Sequence, residues 1–171
     1  MYLHWTDKLS VGIDQFDDDH KRLIGIVNEL NNAIEAAGAT GEIEKEEIDI
    51  VLNRLENYTK YHCDREEAFM EKTGYPGLNA HKQEHVRLEA MIANMREDFR
   101  ESVDARGAVE IMRFISHWVT HHIFITDKKY TAHLQASGHL DDSFPIVKPA
   151  DLAHTGVRRS SAARRRSAAA A

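Results

Sequence analysis

Apolar side chains recur every three to four positions along four stretches of this chain, a period that predicts four amphipathic helices. The first spans about 16–37, carries Leu23, Ile24, Val27, Leu30 and Ile34 on one stripe, and stops at Gly38-Ala39-Thr40-Gly41. The second spans about 42–72 on a stripe of Ile48, Val51, Leu52, Leu55, Tyr58, Phe69 and Met70. Gly74-Tyr75-Pro76-Gly77 ends it, because proline has no N–H to donate and its ring clashes with the preceding turn. The third covers about 78–101, with Leu88, Met91, Ile92, Met95 and Phe99 in register. After a polar break at 102–107, the fourth covers about 108–134 on Ile111, Met112, Ile115, Val119 and Ile123. No run alternates with period two, so a sheet is not expected. Short connections between long helices make neighbours antiparallel, and the expected fold is an all-α, up-down-up-down four-helix bundle.

Past Ser137 the apolar period disappears and the chain ends in RRSSAARRRSAAAA. Too few apolar groups remain there to offset the entropy of ordering. The chain therefore divides into a bundle domain at 1–136 and a low-complexity, disordered basic tail at 137–171. At 171 residues there is room for one ordinary domain and a tail. The net charge of −6 conceals this division: residues 151–171 hold five arginines and one acid, which leaves 17 basic and 27 acidic residues in 1–150, a body at −10. Such a body repels nucleic acid and anionic membrane. No stretch approaches the roughly 20 apolar residues of a membrane span, and the N-terminus lacks the pattern of a secretory leader, so a cytoplasmic protein is expected. One cysteine, Cys63, rules out an internal disulfide framework and a thiolate metal cage.

Eleven histidines are the unusual feature of the composition. Metal ligands on one helix must share a face, and residues four apart lie one turn apart. His62 and Glu66 form such a pair in YHCDREE, and His81 and His85 form another in NAHKQEH. His122 and Asp127 are five apart, which in an α-helix separates them by about 140°. On that geometry they cannot converge on one atom and must flank a wider site. In an antiparallel bundle the start of helix one, the end of helix two, the start of helix three and the end of helix four share one end. His20, His62, Glu66, His81, His85, His122 and Asp127 then fall in one layer, roughly 10–15 Å from that end at 1.5 Å of rise per residue.

The order His20, His62-x-x-x-Glu66, His81-x-x-x-His85, His122-x-x-x-x-Asp127 resembles the ligand signature of hemerythrins. Val11-Gly12-Ile13, Asp17-x-x-His20 and Asp127-Lys128-Lys129-Tyr130 look like the flanking words of the bacterial branch. The resemblance covers about residues 3–134. It implies two non-haem irons per chain: one held by His81, His85 and His122, the other by His20 and His62. Glu66, Asp127 and a solvent-derived oxygen would bridge them. It also implies reversible binding of molecular oxygen by a carrier, store or sensor rather than an enzyme, with an oxygen-consuming enzyme or a signalling protein as further partner. The alternatives are a di-iron enzyme reducing peroxide or nitric oxide, and a scavenger of oxygen or iron. A ferritin-like enzyme fits less well, since no glutamate precedes any histidine by three. A zinc site needs no bridged pair and fewer ligands.

His117 and His121 compete with His122 for the helix-four position. Only His122 has the five-residue offset to Asp127 and shares a face with Trp118, so His121 is expected to face solvent or stand behind the ligands. No metal role is expected of His4, His133, His139 or His154. Trp118, Leu23 and Ile24 are expected to line a dry pocket, and Cys63 to be a packed, inert thiol.

Overall fold

The computed structural model describes residues 2–40, 45–102 and 105–138. Its elements are α1 (Asp14–Thr40), α2 (Lys45–Lys72), α3 (Leu78–Ser102), α4 (Ala105–His121), a π-helical turn (His122–Asp127) and α5 (Lys128–Ser137), preceded by a short 3-10 turn at Asp7–Leu9. Among the described residues there is no strand. α1 packs on α2 and α4, and α3 packs on α2 and α4, which closes the four-helix bundle. No described helix is long and apolar enough to cross a membrane.

Helix four departs from expectation. It is not one α-helix over 108–134: a π turn interrupts it at His122, and α5 carries it on to Ser137. Gly138 then closes α5 in the left-handed conformation at φ 76°, its N–H bonding the Leu134 carbonyl, a geometry glycine adopts without Cβ strain. Residues 41–44, where helix two was expected to begin, and the tail from 139 onward lie outside the described residues.

Side-chain bonds lock the start of α1, which carries His20. Asp17 accepts hydrogen bonds from the Val11 N–H, at 2.8 Å, and from the Ser10 hydroxyl, tying the incoming loop to the first turn of α1. Asn28, two turns beyond His20, binds Leu3 both ways, accepting from its N–H at 2.7 Å and donating to its carbonyl at 2.9 Å. Between α2 and α3 the chain turns at Gly74, where φ is 65°. At the far end Arg96 reaches from α3 to Asp49 (2.8 Å), Asn53 (2.6 Å) and Glu56 (2.9 Å) on α2, and fixes the register of that pair.

The core is in two parts. The larger includes Leu23, Val27, Leu30, Leu52, Leu55, Ile92, Ile115 and Ile123 along the length of the bundle. The smaller, around Val11, Ile13, Phe16, Phe69, Met70, Tyr130 and Leu134, closes one end. Polar residues that no ordinary core would bury lie between them.

Candidate metal centre

His20, His62, Glu66, His81, His85, His122 and Asp127 are all buried, and Glu66 and Asp127 are 0% exposed. The seven come together in two groups. Glu66, His81, His85, His122 and Asp127 form one; His20, His62, Glu66 and Asp127 form the other. The two carboxylates belong to both.

The π turn explains how helix four contributes two of them. A π turn bonds each residue to one five positions away instead of four, so residues five apart stand one turn apart. His122 Nε2 lies 3.0 Å from Asp127 Oδ1. The 140° separation expected of an α-helix is therefore wrong here: the extra residue per turn returns Asp127 to the face of His122. Phe124 and Ile125, at 46% and 42% exposed, mark where the looser turn swings outward.

The imidazoles aim Nε2 inward. His20 Nε2 is 3.3 Å from Asp127 Oδ2 and 3.7 Å from Glu66 Oε1. His81 Nε2 is 3.5 Å from Asp127 Oδ1 and 3.6 Å from Glu66 Oε2. His62 and His85 each place Nε2 3.5 Å from Glu66 Oε2. Most of these separations are too long for hydrogen bonds. They suit donors sharing a cation: ligand distances of about 2.1 Å put two donors at right angles about 3 Å apart. The buried atoms left without any hydrogen-bond partner include His20 Nε2, His81 Nε2, Glu66 Oε2 and both oxygens of Asp127. Buried carboxylates in this state are costly unless cations complete them, and an imidazole and carboxylate set suits iron.

The electrostatics agree. Burial would strip a proton from His20, yet the carboxylates of Asp127 and Glu66 outweigh it and lift its pKa to about 9. His85 is also lifted to about 9, with burial opposing and Glu66 and Glu67 raising it. Burial raises Glu66 as well, but the surrounding imidazoles of His62, His20, His81 and His85 hold it well below the carboxylate range. Protons on such a cluster occupy the positions that metal ions take, and binding ions releases them.

A ring of partners that the sequence pattern did not expose holds the inner set. Tyr130, fully enclosed, donates to Glu66 Oε1 at 2.9 Å. Glu67 faces His85 Nδ1 at 2.9 Å, which orients the ring so that Nε2 points inward. Behind His62, Asp19 places Oδ2 3.8 Å from Nδ1, accepts from the Tyr58 hydroxyl at 2.7 Å and is bonded by Arg65. Trp118 stacks on His122, with ring centroids 4.4 Å apart and an interplanar angle of 19°. Helical spacing placed Trp118 on that face; the others are long-range pairings with no local signal.

An apolar cavity adjoins the centre. Leu23, Thr59, Cys63, Leu88, Trp118, Val119 and Ile123 line it together with His62 and His122. Leu23 and Trp118 were expected there; Ile24 is buried in the larger core but does not line it. Cys63 is a buried free thiol whose pKa burial pushes well up, so it stays protonated and unreactive. His117 and His121 are exposed and pair with one another, ring centroids 5.9 Å apart. His4 is exposed, and His133 bonds the Thr73 carbonyl. His139 and His154 lie outside the described residues.

A helical bundle that gathers five imidazoles and two shared carboxylates around two adjoining positions defines a dinuclear metal-binding protein. The family model described as Hemerythrin HHE cation binding domain matches residues 11–134, and the chain belongs to the hemerythrin family. It is 33% identical over 134 residues to a bacteriohemerythrin of Stenotrophomonas maltophilia (strain R551-3), covering 78% of this chain and 82% of that protein. To a bacteriohemerythrin of Methylococcus capsulatus it is 34% identical, covering 77% of this chain and 96% of the relative. The crystal structure of a wild-type hemerythrin superposes with a TM-score of 0.65 at 28% identity, covering 77% of this chain and 97% of the other. The centre is thus a non-haem di-iron site that binds molecular oxygen.

Proposed function

We propose that His20, His62, Glu66, His81, His85, His122 and Asp127 are the whole iron-ligand set. His81, His85 and His122 hold one iron, His20 and His62 the other, and Glu66 and Asp127 span both beside a solvent-derived oxygen. The carrying observation is that the inward Nε2 atoms and the carboxylate oxygens sort into two groups that share both carboxylates. Glu66 and Asp127 would each offer oxygens to both ions, with three imidazoles serving one side and two the other, so the ion beside His20 and His62 would have fewer protein ligands. The apolar cavity touches His62, of the group with two imidazoles, and His122, of the group with three.

An iron pair held by these residues would supply reversible redox chemistry to a bound gas. The protein's part is to keep water and protons away. Leu23, Leu88, Val119 and Ile123 wall the cavity with hydrocarbon, and its lining includes no carboxylic acid or lysine to hand a proton to a bound ligand. That supports release over reduction, hence a binding protein rather than an enzyme: an oxygen carrier, store or sensor acting with an oxygen-consuming enzyme or a signalling protein. A centre that must return to the ferrous state, in a chain whose one cysteine is a buried free thiol, suits the reducing cytoplasm.

The functional domain is residues 1–136, because the ligand set closes at Asp127 and the smaller core at Leu134; removing 145–171 should leave iron content unchanged. The test of the function is metal analysis followed by an oxygen titration of the reduced protein, read in the visible spectrum and repeated after deoxygenation. Two irons per chain and a spectrum that returns cycle after cycle are expected. One iron, stoichiometric zinc, or irreversible oxidation on first exposure would refute the reading.

A further inference from the structure

On the wall of the cavity beside His62 and His122 stands a threonine whose hydroxyl has nothing to bond. It encloses about 10 Å³, near the room of a single water-sized molecule. Thr59 lies on its wall, is 2% exposed, and has no hydrogen-bond partner for Oγ1. A helical threonine or serine ordinarily bonds the carbonyl one turn back. Thr73 does so to Phe69 at 2.9 Å, Ser116 to Met112 at 2.7 Å and Thr120 to Ser116 at 2.8 Å. Thr59, inside α2, does not. A buried hydroxyl left unpaired costs free energy, and valine would fill the same volume without that cost. Thr59 instead lies in the wall of this cavity, three residues before His62 on the side with two imidazoles and across from His122 on the side with three.

We propose that Thr59 is the retaining donor of this cavity: its hydroxyl gives a hydrogen bond to a small ligand with exposed lone pairs, dioxygen or azide, and slows its escape. The proposal rests on the reading that the centre beside His62 takes dioxygen. Such a bond strengthens as negative charge gathers on the accepting atom. The donor therefore favours ligands that draw electron density from the centre over neutral apolar gases of the same size, which the hydrocarbon wall alone cannot separate.

The test compares the full chain with Thr59→Val, which keeps the shape and removes the donor, and Thr59→Ser, which keeps the donor. The readouts are the dioxygen dissociation rate of the reduced protein, the azide affinity of the oxidised protein, and the denaturation midpoint of the iron-free chain. Thr59→Val should release dioxygen faster and bind azide more weakly by roughly ten- to a hundredfold, the range of one hydrogen bond to a charged acceptor. Thr59→Ser should restore most of that retention. In the iron-free chain Thr59→Val should raise the midpoint, because a methyl group replaces a buried hydroxyl without a partner. Wild-type release and azide affinity in Thr59→Val would overturn the proposal. So would a serine variant as leaky as the valine one, which would assign the effect to cavity shape, or a lowered midpoint, which would show that the hydroxyl has a protein partner. If the wild-type chain takes up no iron, the metal reading fails first, and the midpoint still decides whether the hydroxyl is free.

Discussion

Removing either partner of the Asp19–Arg65 pair should destabilise the bundle far more than removing both. Asp19 and Arg65 are 6% and 9% exposed, and Arg65 bonds Asp19 from the neighbouring helix. Breaking a buried ion pair from one side costs roughly 3–5 kcal/mol, because it leaves a charge without compensation, whereas replacing both members with apolar groups is often nearly neutral. Arg65 keeps Gln15 as a second acceptor at 3.3 Å and lies between the rings of Phe16 and Tyr61. A single loss should therefore fall at or just below the lower limit, about 2–3 kcal/mol. Tyr58 also donates to Asp19, so a Tyr58→Phe background avoids orphaning its hydroxyl. In that background Asp19→Leu and Arg65→Met should each cost this amount and the double variant less than either, so the coupling should exceed one single effect, about 2–3 kcal/mol. Urea unfolding at fixed iron content, analysed as a double-mutant cycle, measures it. Single effects below about 1 kcal/mol, or a strictly additive double variant, would refute the assignment.

Three further outcomes follow from the same geometry. His122→Ala should lose iron while His121→Ala keeps it, because His122 is buried among the ligands and His121 is exposed; iron analysis decides, and the reverse result would displace the helix-four register. Deleting Ile125 should preserve iron binding, since an α-helix would then carry the histidine and the aspartate four apart on one face, whereas inserting an alanine at that point should abolish it. Arg96 and Arg100, with burial opposing, hold the Asp49 carboxyl down at about 2. Its folded pKa lies below the unfolded value, so its stabilisation is present above about pH 4 and lost as the pH falls toward 2; with screening it amounts to about 1 kcal/mol. Asp49→Asn should flatten that part of the acid-unfolding curve.

Much of the architecture was legible because each helix carries a long apolar stripe, and glycine follows closely on the ends of α1, α2 and α5. The histidine pairs at i, i+4 were equally legible, since residue spacing alone puts them on one face. The π turn was not: an α-helical count rotates Asp127 away from His122, and one extra residue hardly disturbs the apolar period on either side. A faint signal does exist. Phe124 and Ile125 are apolar yet exposed, where the looser turn swings outward. The Asp17-Asp18-Asp19 run reads as a solvated acidic face, but only Asp18 is exposed. Asp17 holds the entering loop and Asp19 meets Arg65 from 46 residues away, a pairing no local pattern encodes.

The position of the ligands between two apolar clusters links iron to the stability of the fold. α1, α2, α3 and the π turn that continues α4 each supply at least one residue of the two candidate metal groups, so bound ions would cross-link every wall of the bundle at the layer where hydrophobic contact is interrupted. Without them that layer holds two fully buried carboxylates and imidazoles that bear protons, a poor substitute for packing. Metal binding free energy at a site assembled from several segments is also folding free energy. The small end cluster around Phe16, Phe69 and Tyr130 therefore depends on the centre for its attachment to the larger core. Tyr130 makes that dependence direct: its ring belongs to the end cluster while its hydroxyl holds Glu66.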